Sequence, residues 1–575
     1  MSTDLQTDSP PSTTGEVLDP RRWLALGVVL VAAFMDLLDA GIVFLALPSI
    51  QQDLHAGYAA LQWVAAGYTL AFALVLITAG RLGDILGRKR LFLIGVAGFT
   101  VASLACAVAQ SPELLVAARV LQGAMAATMI PQILSLIQAS FPVSERAAAF
   151  GFYGAVGGMA NVAGPPVAGL LLQSNPLGLG WRSIFLINLP IGVATLIAAA
   201  VLVRESRAPR ALRLDPVGVG IITVGLLLVL YPLVQGRELG WPTWTFAAMV
   251  AAVPVLAVFV LWERRKTRRD GSPLVALGLF RQRPFVAGLG VNLALLAGIA
   301  SFFLVLVFYL RVGLGYSAIK TALVALPWPV GIAVAAPVSA RLAATAGRRL
   351  LAGGSLLVAV AMVLLVGAID RYGIAIDAWQ LIPLLALGGI GMGLAFPPLI
   401  DTVLAGVPLE DAGSASGVLN TAQQLGSAIG VAVIGVIFFG LLASQATPSA
   451  REVTPGLRGG LQAAGVPAGV QQEIVAGFQA CARDRAATQD PTEVPASCQQ
   501  TQPVAPSPDS GQRVQQVITA AADDARKEVF SRATQQTLWF NAGVFLVASL
   551  LSLLLPATPR RHQPEPGRQP AAATA

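Results

Sequence analysis

Three charged residues stand deep inside long apolar runs, where a charge must serve a purpose. Asp36 and Asp39 lie in the first run, about 23–46, and Arg119 in the fourth, about 113–137. A charge in the hydrocarbon core costs at least ~2.5–3.5 kcal/mol, so it requires a partner and usually a function. Asp36 and Asp39 are about one helical turn apart on the same face. Two carboxylates that close suit reversible protonation. Asp39 lies nine residues before Pro48, which marks the outer end of its run; at 1.5 Å per residue it is roughly 13 Å deep. Arg119 lies six residues beyond Glu113, near the outer edge; by the same rise it is roughly 9 Å deep. Depth alone therefore allows an Asp39–Arg119 pair. The two histidines, His55 and His562, both fall outside the runs. Asp36 and Asp39 are then the best available proton carriers, with Asp401 third.

These residues are held by elements that the composition identifies. Of 575 residues, 55% are hydrophobic and only 12% charged, against roughly 25% charged in a soluble domain. That excludes an ordinary cytosolic enzyme and predicts an all-α polytopic membrane protein. A span needs roughly 20 apolar residues. Fourteen runs qualify: about 23–46, 61–80, 91–109, 113–137, 148–172, 184–203, 216–235, 244–262, 285–310, 321–340, 350–368, 379–404, 416–443 and 536–556. With the N-terminus inside, the cytoplasmic segments carry 24 Lys and Arg and the short outer loops five. The positive-inside rule then places both termini in the cytoplasm. The net charge of +8 reads as loop charge, not as a nucleic-acid footprint. Residues 1–20 show no cleavable signal pattern. The dipeptide Gly-Lys is absent, so there is no phosphate-binding loop, and no metal-ligand spacing or nucleophile–histidine pattern occurs. Neither a cofactor nor an enzymatic activity is expected.

The chain repeats itself. Gly57-Tyr58-Ala59-Ala60 returns as Gly315-Tyr316-Ser317-Ala318, and 80–90 returns as 340–350. Gly123 and Pro131 match Gly389 and Pro397; Glu145 and Gly164 match Glu410 and Gly430. The offset stays between 258 and 266 residues. The predicted organisation is a tail (1–22), a six-helix bundle (23–203), and a linker with two additional helices (204–284). A second six-helix bundle (285–556) includes an outer segment 444–535, and a disordered tail (557–575) follows. Paired repeats around a midplane site are the architecture of secondary transporters.

Gly80-x-Leu82-Gly83-Asp84-x-x-Gly87-Arg88-Lys89 resembles the loop signature of the major facilitator superfamily, between spans two and three. Asp84 sits among Arg81, Arg88, Lys89 and Arg90. A carboxylate there can pair with arginine and face a helix N-terminus. Gly80, Asp84, Gly87, Arg88 and Lys89 are the expected conformational latch; Ala344 replaces the aspartate in the second half. Leu115-x-x-x-Arg119-x-x-Gln122-Gly123 resembles the family's fourth-span motif, which implies proton transfer. Leu38-Asp39-x-Gly41-Ile42-Val43-Phe44-Leu45-Ala46-Leu47-Pro48 is similar to the first-span signature of its fourteen-span drug:proton antiporters, the QacA/EmrB type. Gly157, Gly158, Gly164, Pro165 and Gly169 resemble the motif that marks exporters, with Ala168 in place of a glycine. Trp181-Arg182-x-x-Phe185-x-x-Asn188-x-Pro190 and Gly413-Ser414-Ala415-Ser416-Gly417 also look like this family.

The resemblance implies a proton-coupled antiporter exporting small lipophilic compounds. Its partners are the substrate, protons and the lipid bilayer. Asn161, Asn420, Gln423 and Gln424 are candidates for the substrate cavity, although such groups more often join helices. Span ten has no acid, whereas relatives exporting divalent cations carry one there; the expected cargo is neutral or monovalent. A lipid or glycolipid exporter, or a sensor that has lost transport, are the alternatives. The outer segment 444–535 is polar, with helix-like stretches near 459–480 and 511–533. The second carries Val514, Val517, Ile518, Ala521 and Val529 on one stripe. Cys481 and Cys498 both fall there, on the oxidising side, and a disulfide is expected. Cys106, inside span three, is expected to be inert packing. The segment caps the outer mouth or meets an envelope partner; the residues do not choose.

Overall fold

A computed structural model describes residues 20–207, 214–236, 239–271, 273–275, 277–404, 412–487, 495–499 and 508–555. Among them there is no strand. The first half consists of α1 (Arg22–Leu54), α2 (Tyr58–Leu86), α3 (Arg88–Ala107), α4 (Pro112–Ser140), α5 (Val143–Ser174), α6 (Ser183–Leu186) and α7 (Asn188–Leu202). Two further helices, α8 (Pro216–Gln235) and α9 (Thr243–Asp270), form a hairpin. The second half begins with α10 (Arg283–Phe308), α11 (Ala318–Ala325), α12 (Pro327–Tyr372) and α13 (Ala378–Leu404). It continues with α14 (Ala412–Glu452), α15 (Thr454–Ala463), α16 (Ala468–Ala487), α17 (Ala496–Gln499) and α18 (Pro508–Leu553). Thirteen stretches among the described residues are long and apolar enough to cross a membrane.

Local chemistry sets many helix starts. Ser111 and Ser317 accept from the backbone N–H of Leu114 and Lys320, and Asp215 from that of Gly218 at 3.0 Å. These are side-chain caps on otherwise orphaned donors. Pro112 and Pro216 follow at the first helical position, where no N–H is needed.

The internal repeat is reproduced in the packing. α2 and α3 lie on α4, and both arms of α12 lie on α13. A Cβ on Gly123 would stand 2.2 Å from the Tyr68 carbonyl oxygen, and one on Gly389 would stand 2.1 Å from that of Trp328. Gly95 against Met129 and Gly354 against Ala395 repeat the relation. Small residues thus let the backbones touch, as membrane helices require when burial from water cannot drive them together. α12 departs from helical angles at Ala346, next to Gly347, the counterpart of Gly87.

The two halves share a core near the ends away from the arginine clusters. It includes Ile42, Leu61 and Val64 from the first half, and Leu304, Phe308, Phe438 and Phe439 from the second. Gly169 of α5 packs on Ala318, Ile319 and Ala322 of α11, and its repeat partner Gly435 of α14 packs on Gln62 of α2. Tyr58 stacks on Phe439 with centroids 4.0 Å apart. At the arginine-rich end the first half keeps a separate cluster around Leu26, Phe92, Ile133 and Phe141. α8 packs on both α2 and α14, so the hairpin lies along the seam. α9 turns Val250, Val253 and Leu261 outward, an apolar face suited to lipid.

One expectation is corrected. Arg311 is not a loop residue: it lies in a π-helical turn, Tyr309–Gly313, that extends α10. From there Nη1 donates to the Leu45 carbonyl at 2.8 Å and to Ser49 Oγ at 3.2 Å, tying the halves together. Its charge was read from sequence position alone, which cannot reveal a partner on α1. In the segment 444–535 both stretches are helical, but they are not separate from the flanking spans: α14 runs on to Glu452, and α18 is one helix of 46 residues from Pro508 to Leu553. Val514 and Ala521 of the expected stripe join Leu457, Leu461, Ile474 and Phe478 in the segment's own small core. Cys481 and Cys498 are bonded there, across a sequence separation of 17.

Candidate functional site

α1, α4, α3 and α7 bring the buried charges together. Arg119, on α4, donates from Nη1 to Asp39 Oδ2 at 2.6 Å and to Gln122 Oε1 at 2.6 Å. Its Nε donates to the Val64 carbonyl at 3.1 Å. Asp39 Oδ1 accepts from Gln122 Nε2 at 3.0 Å and Asn188 Nδ2 at 2.7 Å. Ser103 Oγ accepts from both amides, at 2.8 and 3.3 Å. Asp39, Gln122, Asn188 and Ser103 are fully buried, and Arg119 retains 1% exposure. Satisfying a buried ion pair on all sides offsets its desolvation, whereas removing one partner strands the other. The Arg119 guanidinium also lies 4.2 Å from the centroid of the Tyr68 ring, a cation–π contact that is strongest when desolvated.

Asp36 is separate. Among the described residues its hydrogen-bond partner is the Tyr68 hydroxyl, which donates to Oδ1. Tyr68 therefore touches both halves of the constellation: its hydroxyl holds Asp36 and its ring covers Arg119. A proton arriving at Asp39 would remove the charge that Arg119 faces, and Tyr68 and Asp36 are the next polar groups in reach. Cys106 is buried beside Gln122, its sulfur 3.7 Å from Oε1.

Sequence reasoning placed Asp39, Asp36 and Arg119 but missed Tyr68 and Ser103. Neither stands in a spacing that signals chemistry. The Trp181 indole and the Arg182 guanidinium donate to Asp53 at 2.9 and 2.5 Å. Asn188 of the same motif is buried and donates instead to Asp39.

The connection between α2 and α3 brings in a carboxylate that the spacing did not signal. The Asp84 and Asn161 side chains lie outside the described residues. The carboxylate that meets the N-terminus of α3 is Glu205, from the segment after α7. It accepts from the backbone N–H of Lys89 at 3.0 Å and of Arg90 at 3.3 Å, where the helix dipole favours an anion. Gly87 adopts φ +117°, and a Cβ there would stand 2.7 Å from Glu205. Glycine at 87 is thus required by the angle, and a Cβ there would displace the Glu205 carboxylate. Arg88 donates to the Ser135 carbonyl at 3.3 Å and Lys89 Nζ to that of Ala200 at 2.7 Å. Glu205 sits among arginines in 204–213; only the fold reveals that it returns to α3. Gly80 rests on Pro131 of α4.

In α5, Gly164 makes only ordinary contact with Ile42 and Gly157 with Leu37, while Gly169 makes the close approach to α11. Pro165 lies within the helix. In α14, Gln423 Nε2 lies 3.5 Å from Asn292 Oδ1, and the Asn292 amide donates to the Leu419 carbonyl at 3.4 Å. Asn420 is exposed and Gln424 half-buried. The large cavity beside this helix, about 960 Å³, is lined by Val418, Thr421, Ala422 and Leu425 and not by these amides.

Comparison with known proteins gives this geometry a context. The profile of the Major Facilitator Superfamily matches residues 29–431. The chain is 43% identical over 564 residues to the probable actinorhodin transporter of Streptomyces coelicolor, covering 97% of this chain and 96% of that one. It is 35% identical over 447 residues to the tetracenomycin C resistance and export protein of Streptomyces glaucescens, covering 76% and 80%. Among solved structures it resembles a bacterial homologue of the human lysosomal transporter Spinster in an inward-facing, occupied conformation. The TM-score is 0.55 at 17% identity, covering 92% of this chain and 97% of that one. That likeness concerns the fold alone.

Proposed function

The chain belongs to the Major Facilitator Superfamily and is a multi-pass, non-enzymatic membrane transporter, and on that premise we propose that it is a proton-coupled antiporter exporting small lipophilic compounds, antibiotics among them. The single observation that carries the coupling is the buried Asp39–Arg119 pair with Asp36 and Tyr68 beside it. A static ion pair would need no second buried carboxylate one turn away. In this reading a proton neutralises Asp39, Arg119 is released toward Tyr68 and Asp36, and the change in α1–α4 packing is passed to the seam between the halves.

The export direction is supported by the relatives, whose names are those of antibiotic transport and export proteins. The distribution of arginines supports a location in the bacterial cytoplasmic membrane, with both termini in the cytoplasm. The closed end, with Gly169 on α11, Gly435 on α2 and Arg311 on α1, is then the outer gate. Glu205 on the N-terminus of α3, with Gly80, Gly87, Arg88 and Lys89 around it, serves as the inner latch, in which Asp84 takes part. Asn161, Asn420, Gln423 and Gln424 contribute to the path of the substrate.

The test is drug-induced proton release in energised inverted vesicles, over a panel of lipophilic compounds, with wild type against Asp39→Asn. Wild type should release protons on addition of a transported compound and the variant should not. Equal release from both would remove Asp39 from the proton path. Transport of a compound with no proton movement would overturn antiport.

A further inference from the structure

The cavity of about 960 Å³ beside α14 is not made by the two halves alone. Its walls come from α2, α10 and α14, and from the α8–α9 hairpin with the connection 274–281. Leu74, Leu226, Phe259, Leu289, Leu293 and Leu425 give it an apolar interior. Three charged side chains line it, and all are cationic: Arg264, Arg268 and Arg281. Among the described residues no carboxylate lines it. None of the three arginines forms an ion pair among the described residues. The hydroxyl of Thr421, on the α14 wall, is buried and has no hydrogen-bond partner.

The walls are fixed rather than loose. Buried Glu263 of α9 accepts from the Val275 N–H at 2.9 Å. Arg81, near the end of α2, donates to the Pro273 carbonyl. The connection that forms one wall is therefore fastened both to the hairpin and to the first half. Arg264 and Arg268 are one turn apart on α9 and present two guanidinium groups to one side. All three arginines are exposed, and a planar guanidinium holds a carboxylate or sulfonate with paired hydrogen bonds.

An apolar groove edged by three exposed arginines, the charged side chains among its described lining, fits an occupant that is lipophilic in the body and negative at one end. Its volume lies in the range of roughly 300–1,000 Å³ that suits drug-sized ligands. We propose that this pocket is a binding site for a drug-sized lipophilic anion, entering beside the α8–α9 hairpin, and that such anions are a preferred cargo class. The cargo statement rests on the export reading above; the binding site stands without it.

The test uses the full-length protein in nanodiscs of zwitterionic phosphatidylcholine. The probes are anilinonaphthalene sulfonate and its neutral relative N-phenylnaphthylamine, which keeps the rings and lacks the sulfonate. The variants are Arg264→Gln/Arg268→Gln, Arg281→Gln, and the charge-preserving Arg264→Lys/Arg268→Lys. The sulfonate should bind the glutamine variants about tenfold more weakly, a loss of the size expected for one charge-assisted contact. The lysine variant should retain most of the affinity, and the neutral probe should bind all forms alike. Equal weakening of both probes, or of neither, would overturn the site. Displacement of the sulfonate by phosphatidylglycerol at levels that leave the neutral probe bound would mark a lipid site instead, and would also overturn it. Proton release with neutral drugs, measured in vesicles, separates the two readings. If it persists while sulfonate binding ignores the arginines, only the pocket fails. If it is absent while sulfonate binding depends on them, only the export reading fails.

Discussion

The buried cluster around Arg119 places opposite demands on stability and on motion. With its ion pair and hydrogen bonds in place, it stabilises one arrangement of α1, α4 and α7. With a partner removed, a buried charge is left exposed to the low dielectric, a loss of roughly 3–5 kcal/mol. Arg119→Ala should therefore lower the thermal midpoint in detergent sharply. The double variant Asp39→Asn/Arg119→Gln should recover most of that loss, because no charge remains to be stranded, while transport stays absent. A thermal midpoint for the double variant as low as for Arg119→Ala would show that the charges are not what holds these helices. Asn188→Ala should be milder, about 1–2 kcal/mol, since Asp39 keeps Arg119 and Gln122 as donors.

Helices in this protein meet through glycines, and the neighbour decides what each glycine tolerates. A Cβ on Gly123 meets the Tyr68 backbone oxygen at 2.2 Å, and a backbone oxygen between packed helices cannot step aside. One on Gly435 meets the Gln62 side-chain amide at 2.5 Å, which can rotate away. Gly123→Ala should thus abolish the folded protein, seen as loss of a monodisperse peak on gel filtration, while Gly435→Ala should remain folded. Equal yields would mean that α2 and α4 separate more easily than their contact implies. At the start of α13 the Ala378 N–H, Lys320 and the Tyr316 hydroxyl all donate to Asp377 and hold its carboxyl below its ordinary value of 3.8. A depressed pKa stabilises the fold above the unfolded value and is lost as pH falls through the folded one. The wild-type advantage over Asp377→Asn should therefore be complete at neutral pH and disappear below about pH 4, read as converging thermal midpoints.

At the scale of the molecule, the halves share a core at the ends away from the arginine clusters, and the hairpin lies along the seam. The folded unit built on α15–α17 is joined to both flanking spans by unbroken helices, yet it has its own core. Cys481→Ser/Cys498→Ser should therefore loosen that unit and leave the spans unaffected. Hydrogen exchange should rise across α16 and α17 and stay unchanged in α2 and α4. A rise throughout the spans would show that the disulfide supports the whole fold. Because α18 continues straight from the folded unit into the final span, a partner bound there would act on the second half directly.

The spans were legible in the residues because a bilayer imposes a local rule: each crossing needs its own apolar length, and no distant residue can supply it. Helix caps, the arginine imbalance and the internal repeat are local or periodic in the same sense. Asp39, Asp36 and Arg119 announced themselves because a charge in an apolar run is improbable without a purpose. What meets those charges was decided by packing. Asp39 finds Arg119 across 80 residues and Asn188 across 149; Lys89 finds Glu205 across 116 and Arg311 finds Leu45 across 266. A tyrosine, a serine, a glutamate among arginines and an arginine near a helix end carry no spacing of their own. Their roles come from which helix faces are brought together, and only the tertiary structure fixes that.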